Sequence, residues 1–307
     1  MKQLIKFGIA GILLLSIKAT MAQQLPQFTQ YMYNTISINP AYAGSRETLS
    51  IVALHRNQWA GMSDAPKTTT ISVHSPLRNE KVGLGFSFIQ DDLLDNFSYL
   101  YADFSYTLNV GVKTKLAFGV KGGFTHYGLD QSLRQDPGVS QDPTISNIKD
   151  QWNPNVGIGA YLHTNRWYVG VSAPRLLKTD YNEQQVAEVL ERVSYYITGG
   201  YVFDLNTTTK LKPAFLVKAT NGAPLSYDLS ANFLFNEKFW LGGAYRINNQ
   251  TGAMALMTDY QISKQLRIGY TFEYATSDLN KFSDGTHEIL LMFELFNEKR
   301  VKSPRYF

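Results

Sequence analysis

Leu266-Arg267-Ile268-Gly269-Tyr270-Thr271-Phe272-Glu273-Tyr274 is the stretch that decides the fold. Leu266, Ile268, Tyr270, Phe272 and Tyr274 fall on one side of an extended chain; Arg267, Gly269, Thr271 and Glu273 fall on the other. Side chains of a strand alternate between faces with period two, so this segment reads as a β-strand with one apolar and one polar face. Leu225 to Phe235 repeats the pattern, with Leu225, Tyr227, Leu229, Ala231 and Phe233 opposite Ser226, Asp228, Ser230 and Asn232. Leu100 to Leu108 carries Asp103, Ser105 and Thr107 on its polar face, and Leu116 to Phe124 sets Leu116, Phe118, Val120 and Phe124 against Gly119, Lys121 and Gly123. Ile289 to Leu295 is blurred, because Leu290 and Met292 share a face with Glu288 and Glu294.

Such segments number about fourteen, at 48–56, 68–74, 82–91, 98–108, 115–126, 155–163, 167–173, 193–204, 210–218, 225–235, 239–247, 253–262, 266–274 and 286–296. Many approach ten residues, the length with which a tilted strand crosses the hydrocarbon of a bilayer. The segment 68–74 is short and weakly patterned. Short connections (164–166, 205–209, 236–238, 263–265, and the slightly longer 75–81 and 109–114) alternate with mostly longer ones at 57–67, 92–97, 127–154, 174–192, 219–224, 248–252 and 275–285. Thr164-Asn165 and Asn236-Glu237-Lys238 have hairpin-turn composition.

Composition narrows the class. The chain has 307 residues, 18% charged and 13% aromatic, so it is neither disordered nor low in complexity. It has no cysteine, which excludes a disulfide scaffold, a thiolate metal site and a thiol nucleophile. Residues 1–22 read as a secretory signal peptide. Lys2 and Lys6 precede an apolar run from Phe7 to Ile17, and Thr20-Met21-Ala22 supplies small residues before a cleavage point at Gln23. That run is shorter than the roughly 20 residues of a spanning helix. Of the 29 basic residues, Lys2, Lys6 and Lys18 fall in this segment, leaving 26 against 25 acidic residues, a net charge of +1. So small an excess argues against a nucleic-acid partner.

After residue 22 no apolar run is long enough for a spanning helix, and the other spanning solution is a closed barrel that pairs every backbone polar group between strands. The expected fold is therefore all-β, a transmembrane antiparallel up-and-down barrel of about fourteen strands, with short periplasmic turns, longer extracellular loops, lipid outside and a wet lumen. Tyr99, Tyr101, Tyr195, Tyr196, Trp167, Phe239, Trp240 and Tyr274 lie near strand ends, as interfacial girdles require. The rival is a secreted β-sandwich or propeller, disfavoured by strands longer than the usual five or six residues. Glu183 to Arg192 reads as a helix on an external loop. The resulting plan is a signal peptide at 1–22, a periplasmic N-terminal segment at 23–47, a barrel at 48–296 and a periplasmic tail at 297–307.

The N-terminal third carries a series of motifs. Pro26-Gln27-Phe28-Thr29-Gln30-Tyr31-Met32 is followed by Asn39-Pro40-Ala41-Tyr42-Ala43-Gly44 and Arg56-Asn57-Gln58-Trp59. Then come Ala65-Pro66-Lys67-Thr68, Ser72-Val73-His74-Ser75-Pro76 and Val82-Gly83-Leu84-Gly85. In order and spacing the series resembles the PorP/SprF family of type IX secretion outer-membrane proteins of Bacteroidota. The later strands match only in pattern. The resemblance implies an outer-membrane barrel that assists secretion or surface attachment of particular substrates, adhesin-like proteins recognised through a C-terminal domain. It also implies contact with periplasmic, peptidoglycan-associated components of the machine.

Asn39, Pro40, Ala41, Tyr42, Gly44, Arg56, Gln58, Trp59 and Pro66 are the candidate partner-binding residues. For residues 39–44 the alternatives are a turn that supports or plugs the barrel and a docking site below the membrane. Trp59 is either an interfacial anchor or, with Arg56 and Gln58, part of a surface for the exported protein. The long loop Leu129 to Trp152, which repeats Gln-Asp-Pro at 135–137 and 141–143, is a solvated loop or a docking element. His55, His74, His126, His163 and His287 form no pair at helical metal-binding spacing, and neither a nucleophile elbow nor a phosphate-binding loop is present. No cofactor or catalytic residue is assigned. An outer-membrane channel for small solutes remains the alternative function, weakened by the mixed signs of Asp103, Lys121, Arg246, Arg267 and Glu273 on the lumen face.

Overall fold

The computed structural model describes residues 27–63, 65–92, 95–129, 150–180, 190–248, 252–295 and 306–307. Fourteen antiparallel strands run β1 Leu49–Asn57, β2 Lys67–Pro76, β3 Val82–Asp92, β4 Asp95–Asn109, β5 Lys115–Leu129, β6 Gln151–His163 and β7 Trp167–Ala173. They continue as β8 Ser194–Tyr201, β9 Thr209–Thr220, β10 Ser226–Phe235, β11 Phe239–Ile247, β12 Ala253–Gln261, β13 Leu266–Ala275 and β14 Thr286–Leu295. Each pairs with its sequence neighbours, and β1 closes on β14 with Leu49 opposite Leu295 and Asn57 opposite His287. The result is a closed up-and-down barrel without a free edge, which removes the sandwich alternative.

Alternation sets the two faces. On β10 every second residue from Ser226 to Leu234 is buried while Tyr227, Leu229 and Phe233 are exposed. On β13, Ile268, Tyr270 and Tyr274 point out while Gly269, Thr271 and Glu273 point in. An exterior of exposed Leu, Ile, Val and Phe around the whole ring would be untenable in water and fits lipid. The short connections, 77–81, 110–114, 164–166, 205–208, 236–238 and 262–265, gather at one end, the turn end. The other, loop end holds the rest. Asn236 and Glu237 both have positive φ (50° and 57°), which makes the β10–β11 connection a tight hairpin turn whose twist matches the strands.

Several expectations are corrected. The segment at 68–74 is a full ten-residue strand, Lys67–Pro76, paired along its length with β1 and β3; its Thr-rich sequence hides the alternation because the threonines face both ways. The 92–97 connection is not long: β3 runs to Asp92 and β4 resumes at Asp95, so these strands rise above their neighbours at the loop end. Of the expected helix Glu183–Arg192, residues 183–189 lie outside the described residues, and Leu190–Glu191 pair as a strand with Thr179–Asp180. The signal peptide and residues 130–149 of the long loop also lie outside them. Tyr99, Tyr101, Tyr196 and Trp240 are not girdle residues but point into the lumen, whereas Tyr195, Phe239 and Tyr274 point out. Adjacent aromatics on one strand must face opposite ways.

Candidate functional site

The lumen is occupied by the chain itself. Residues 27–48, assigned above to the periplasmic side, thread it from the loop end to the turn end as a plug. Single turns carry the chain downward, including the 3₁₀ turns Thr35–Ser37 and Pro40–Tyr42, with amide-to-carbonyl bonds such as Tyr33 to Gln30 (3.1 Å), Ile38 to Thr35 (3.1 Å) and Ala43 to Pro40 (3.2 Å). Backbone groups shielded from water must find partners, and these turns supply them locally.

Apolar packing seats the upper plug. Phe28, Tyr31, Met32 and Tyr33 lie in one cluster with Val52, Leu54, Tyr196, Leu216, Met257, Leu290 and Met292 of the wall. This explains the blurred alternation of β14: Leu290 and Met292 face inward because plug, not water, lies opposite them. Each such side chain contributes roughly 1.5–3 kcal/mol when fully buried.

Around this cluster the wall grips the plug with charge. The Glu288 carboxylate accepts the backbone N–H groups of Thr29 (2.8 Å) and Gln30 (3.1 Å), and Glu273 accepts the Thr29 hydroxyl (2.5 Å). Both carboxylates are held by Arg56, which lies 2.8 Å from Glu273 and also pairs with Glu288. Arg246 bridges Asp228 (2.7 Å) and Glu273 (3.2 Å), and Gln27 donates to Asp228. Fully buried charges persist only when paired and hydrogen-bonded in this way. Lower down, Tyr33 donates to Asp259 (2.9 Å), Asn34 bonds Thr70 and Ser72, and the Lys121 ammonium, paired with Asp103 (2.8 Å), reaches the Ile36 carbonyl (3.2 Å).

The Asn39–Gly44 motif fits against a bare patch of wall. Asn39 Oδ1 accepts the Ala41 N–H (3.0 Å) and Nδ2 donates to the Ala160 carbonyl (3.1 Å), so one side chain caps the turn and fastens it to β6. Pro40 sits at the first position of that turn, where its fixed φ suits the geometry. Gly119 and Gly159 face this backbone so closely that a Cβ on either would lie 2.2 Å from Ala41 N or 2.1 Å from Asn39 Oδ1. A Cβ on Gly83 would fall 2.1 Å from the Ala43 carbonyl oxygen. Tyr42 packs edge-on to His74 and Tyr161, with ring centres 5.2 and 5.4 Å away. Gly44, at φ +75°, turns the chain out and donates its N–H to His74 Nδ1 (3.1 Å). Arg46 then pairs with Glu294 (2.6 Å), and the Thr48 hydroxyl donates to the Leu295 carbonyl, joining the plug base to the β1–β14 seam.

Of the candidate residues, Asn39, Pro40, Ala41, Tyr42 and Gly44 come together in the lumen, and Arg56 lies in the buried charge cluster. Gln58, Trp59 and Pro66 lie half-buried at the loop end, where Arg56 Nε donates to Gln58 Oε1 (3.4 Å). There Gln58 donates its N–H to the Pro66 carbonyl (2.9 Å), Trp59 adopts φ +53° with its N–H on Thr286 Oγ1 (3.1 Å), and Ala60 exchanges 2.7 Å bonds with Gly285 and Asp284 of the β13–β14 loop. A bulky residue at positive φ costs of order 1–3 kcal/mol and is held here by those bonds. Sequence reasoning missed Thr29, Gln30, Asp228, Glu288 and the glycine patch. The signal was present, since glycines recur on the polar face of β3, β5 and β6 and acids flank inward apolar residues on β14.

A closed fourteen-stranded barrel with a lipid-facing exterior defines an outer-membrane barrel protein, here one filled by its own N-terminal segment. The chain belongs to the family of type IX secretion system membrane proteins PorP/SprF, whose profile matches residues 20–293. No curated protein matches it. Among solved structures it is similar to the CymD monoaromatic hydrocarbon channel, at 13% identity and TM-score 0.52 over 89% of this chain and 94% of that one. It is also similar to the Acinetobacter baumannii outer membrane protein Omp33, at 10% identity and TM-score 0.48 over 81% and 98%. Likeness at this identity concerns the fold alone. By the usual arrangement of such barrels the turn end faces the periplasm and the loop end the exterior.

Proposed function

We propose that this protein is a non-enzymatic accessory barrel of the type IX system that assists secretion or surface attachment of specific adhesin-like substrates, and that it is not a solute channel. The plug carries this reading. A solute pore needs a continuous wet path, whereas here apolar packing, paired charge and the seated Asn39–Gly44 turn fill the lumen. Asn39, Pro40, Ala41, Tyr42, Gly44 and Arg56 serve the partner role indirectly, by fixing the shape that the rims present. Gln58, Trp59 and Pro66, on loops zipped to the β13–β14 connection, belong to the outer face that meets the exported protein's C-terminal domain. Periplasmic components of the machine meet the turn end. The test combines two measurements. Purified protein in a planar bilayer should show no steady ohmic openings, and gentle extraction of the native membrane should bring down secreted or periplasmic type IX proteins. Steady conductance without such partners would instead assign a channel.

A further inference from the structure

The short turns carry an excess of basic residues. Arg78 and Lys81 lie on the β2–β3 turn, Lys113 on β4–β5, Lys238 on β10–β11 and Lys264 on β12–β13, all exposed. Among the described residues none of the five makes an ion pair. Three further basic groups at this end carry acid partners: Arg166 has Asp204, Lys210 has Asp204 (3.0 Å) and Glu237 (3.2 Å), and Lys115 has Glu47 (2.6 Å). Glu80 is the single acid beside the five on their own turns that has no cation bound to it. The loop end mixes the two signs: Asp92, Asp150, Asp278 and Asp284 are exposed there beside Lys67, Lys178 and Lys281, the last paired with Asp278 (2.7 Å).

Depth decides what the basic turns meet. The outward girdle at the turn end is marked by Trp167, Tyr201, Phe203, Phe239 and Tyr260, and aromatic belts sit where hydrocarbon gives way to headgroups. The basic residues lie one to three positions from outward apolar residues. Lys81 precedes Val82, Lys238 precedes Phe239, Lys264 stands two before Leu266, and Lys113 three before Leu116. At about 3.3 Å per strand residue, that places the charges in the phosphate layer rather than out in solution. Exposed Leu77, Val110, Val112 and Ile262 are interleaved with them, a pairing of apolar body and basic tip that suits a lipid surface better than a free aqueous rim.

We propose that the turn-end rim binds the phosphate groups of anionic phospholipid in the leaflet it faces, through Arg78, Lys81, Lys113, Lys238 and Lys264. The rim thereby holds a lipid annulus around the periplasmic mouth and fixes the barrel's height and sidedness in the bilayer. An acidic protein docked across the mouth is the competing occupant.

Native mass spectrometry of the full chain, released from bilayer discs of equimolar phosphatidylglycerol and phosphatidylcholine, tests this. Phosphatidylglycerol should be retained over phosphatidylcholine by about fivefold or more, the factor one basic side chain near an anionic surface supplies. The ratio should fall towards one in R78Q/K81Q/K113Q/K238Q/K264Q and persist both in the loop-end control K67Q/K281Q and in the charge-preserving K81R/K113R/K238R/K264R. If the fivefold variant does not fold, R78Q/K81Q/K113Q and K238Q/K264Q are read separately, each expected to lose part of the preference. Equal retention of the two lipids by the unaltered protein, or a preference untouched by neutralisation, overturns the proposal. So does loss of an acidic periplasmic protein from the neutralised variant's native-membrane extract while lipid retention stays the same.

Discussion

At the scale of single residues, neighbours on one strand have unrelated consequences. Tyr270 faces lipid and Thr271 is fully buried against the plug, where its hydroxyl accepts the Gln30 side chain at 2.7 Å. Tyr270→Arg should impair insertion by roughly 2–4 kcal/mol near the bilayer midplane. Thr271→Val should insert normally but weaken the folded barrel by about 1–3 kcal/mol, because the buried Gln30 amide loses its acceptor. Reversible unfolding from lipid vesicles separates the two, and similar insertion defects in both would contradict the facing described above. Arg56→Ala leaves Glu273 and Glu288 buried with less compensation and should cost about 3–5 kcal/mol by the same measurement. Gly119→Leu acts differently. Its side chain would occupy the place of the Ala41 backbone, so the barrel should form with the Asn39–Gly44 turn displaced, detected as new protease sensitivity near residues 39–44 and current across a planar bilayer.

At the scale of elements, the plug is the unit on which the proposed function turns. Deleting residues 27–44 should leave a barrel that still shifts in gel mobility on heating, of lower stability, that conducts ions and no longer supports secretion or surface display. A silent barrel after deletion would mean that the wall collapses inward, and persistent secretion would remove the plug from the mechanism. The strands were legible in the sequence because lipid on one side and a polar or small-residue face on the other impose period two, as at 225–235 and 266–274. The plug was not. Its residues lie on no repeating face, and the features that receive it are spread around the whole ring of strands, far apart in the chain. Asn39-Pro40-Ala41-Tyr42-Ala43-Gly44 announced a turn, but only the bare backbone at Gly83, Gly119 and Gly159 tells where that turn sits. Tyr99, Tyr101 and Trp240 misled for a related reason: an aromatic near a strand end belongs to the girdle only if its parity points outward.

At the scale of the whole molecule, the fold has two unlike ends. A single cysteine at Lys281, in a chain that has none of its own, should react with a membrane-impermeant maleimide in intact cells. One at Val112, on a short turn, should react only after the outer membrane is opened. The opposite labelling pattern would invert the barrel and with it the assignment of substrate and machine to their faces.

The seam where β1 meets β14 has a consequence for assembly. Glu288 and Glu294 on the last strand hold Thr29, Gln30 and Arg46, which lie 248 to 259 positions earlier in the chain. The last strand of the barrel therefore completes the binding surface for a stretch that is synthesised before the first strand. Zipping the cylinder shut and capturing its filling are then one cooperative event, in which an empty cylinder lacks its stabilising contents and an uncaptured filling has nowhere to fold.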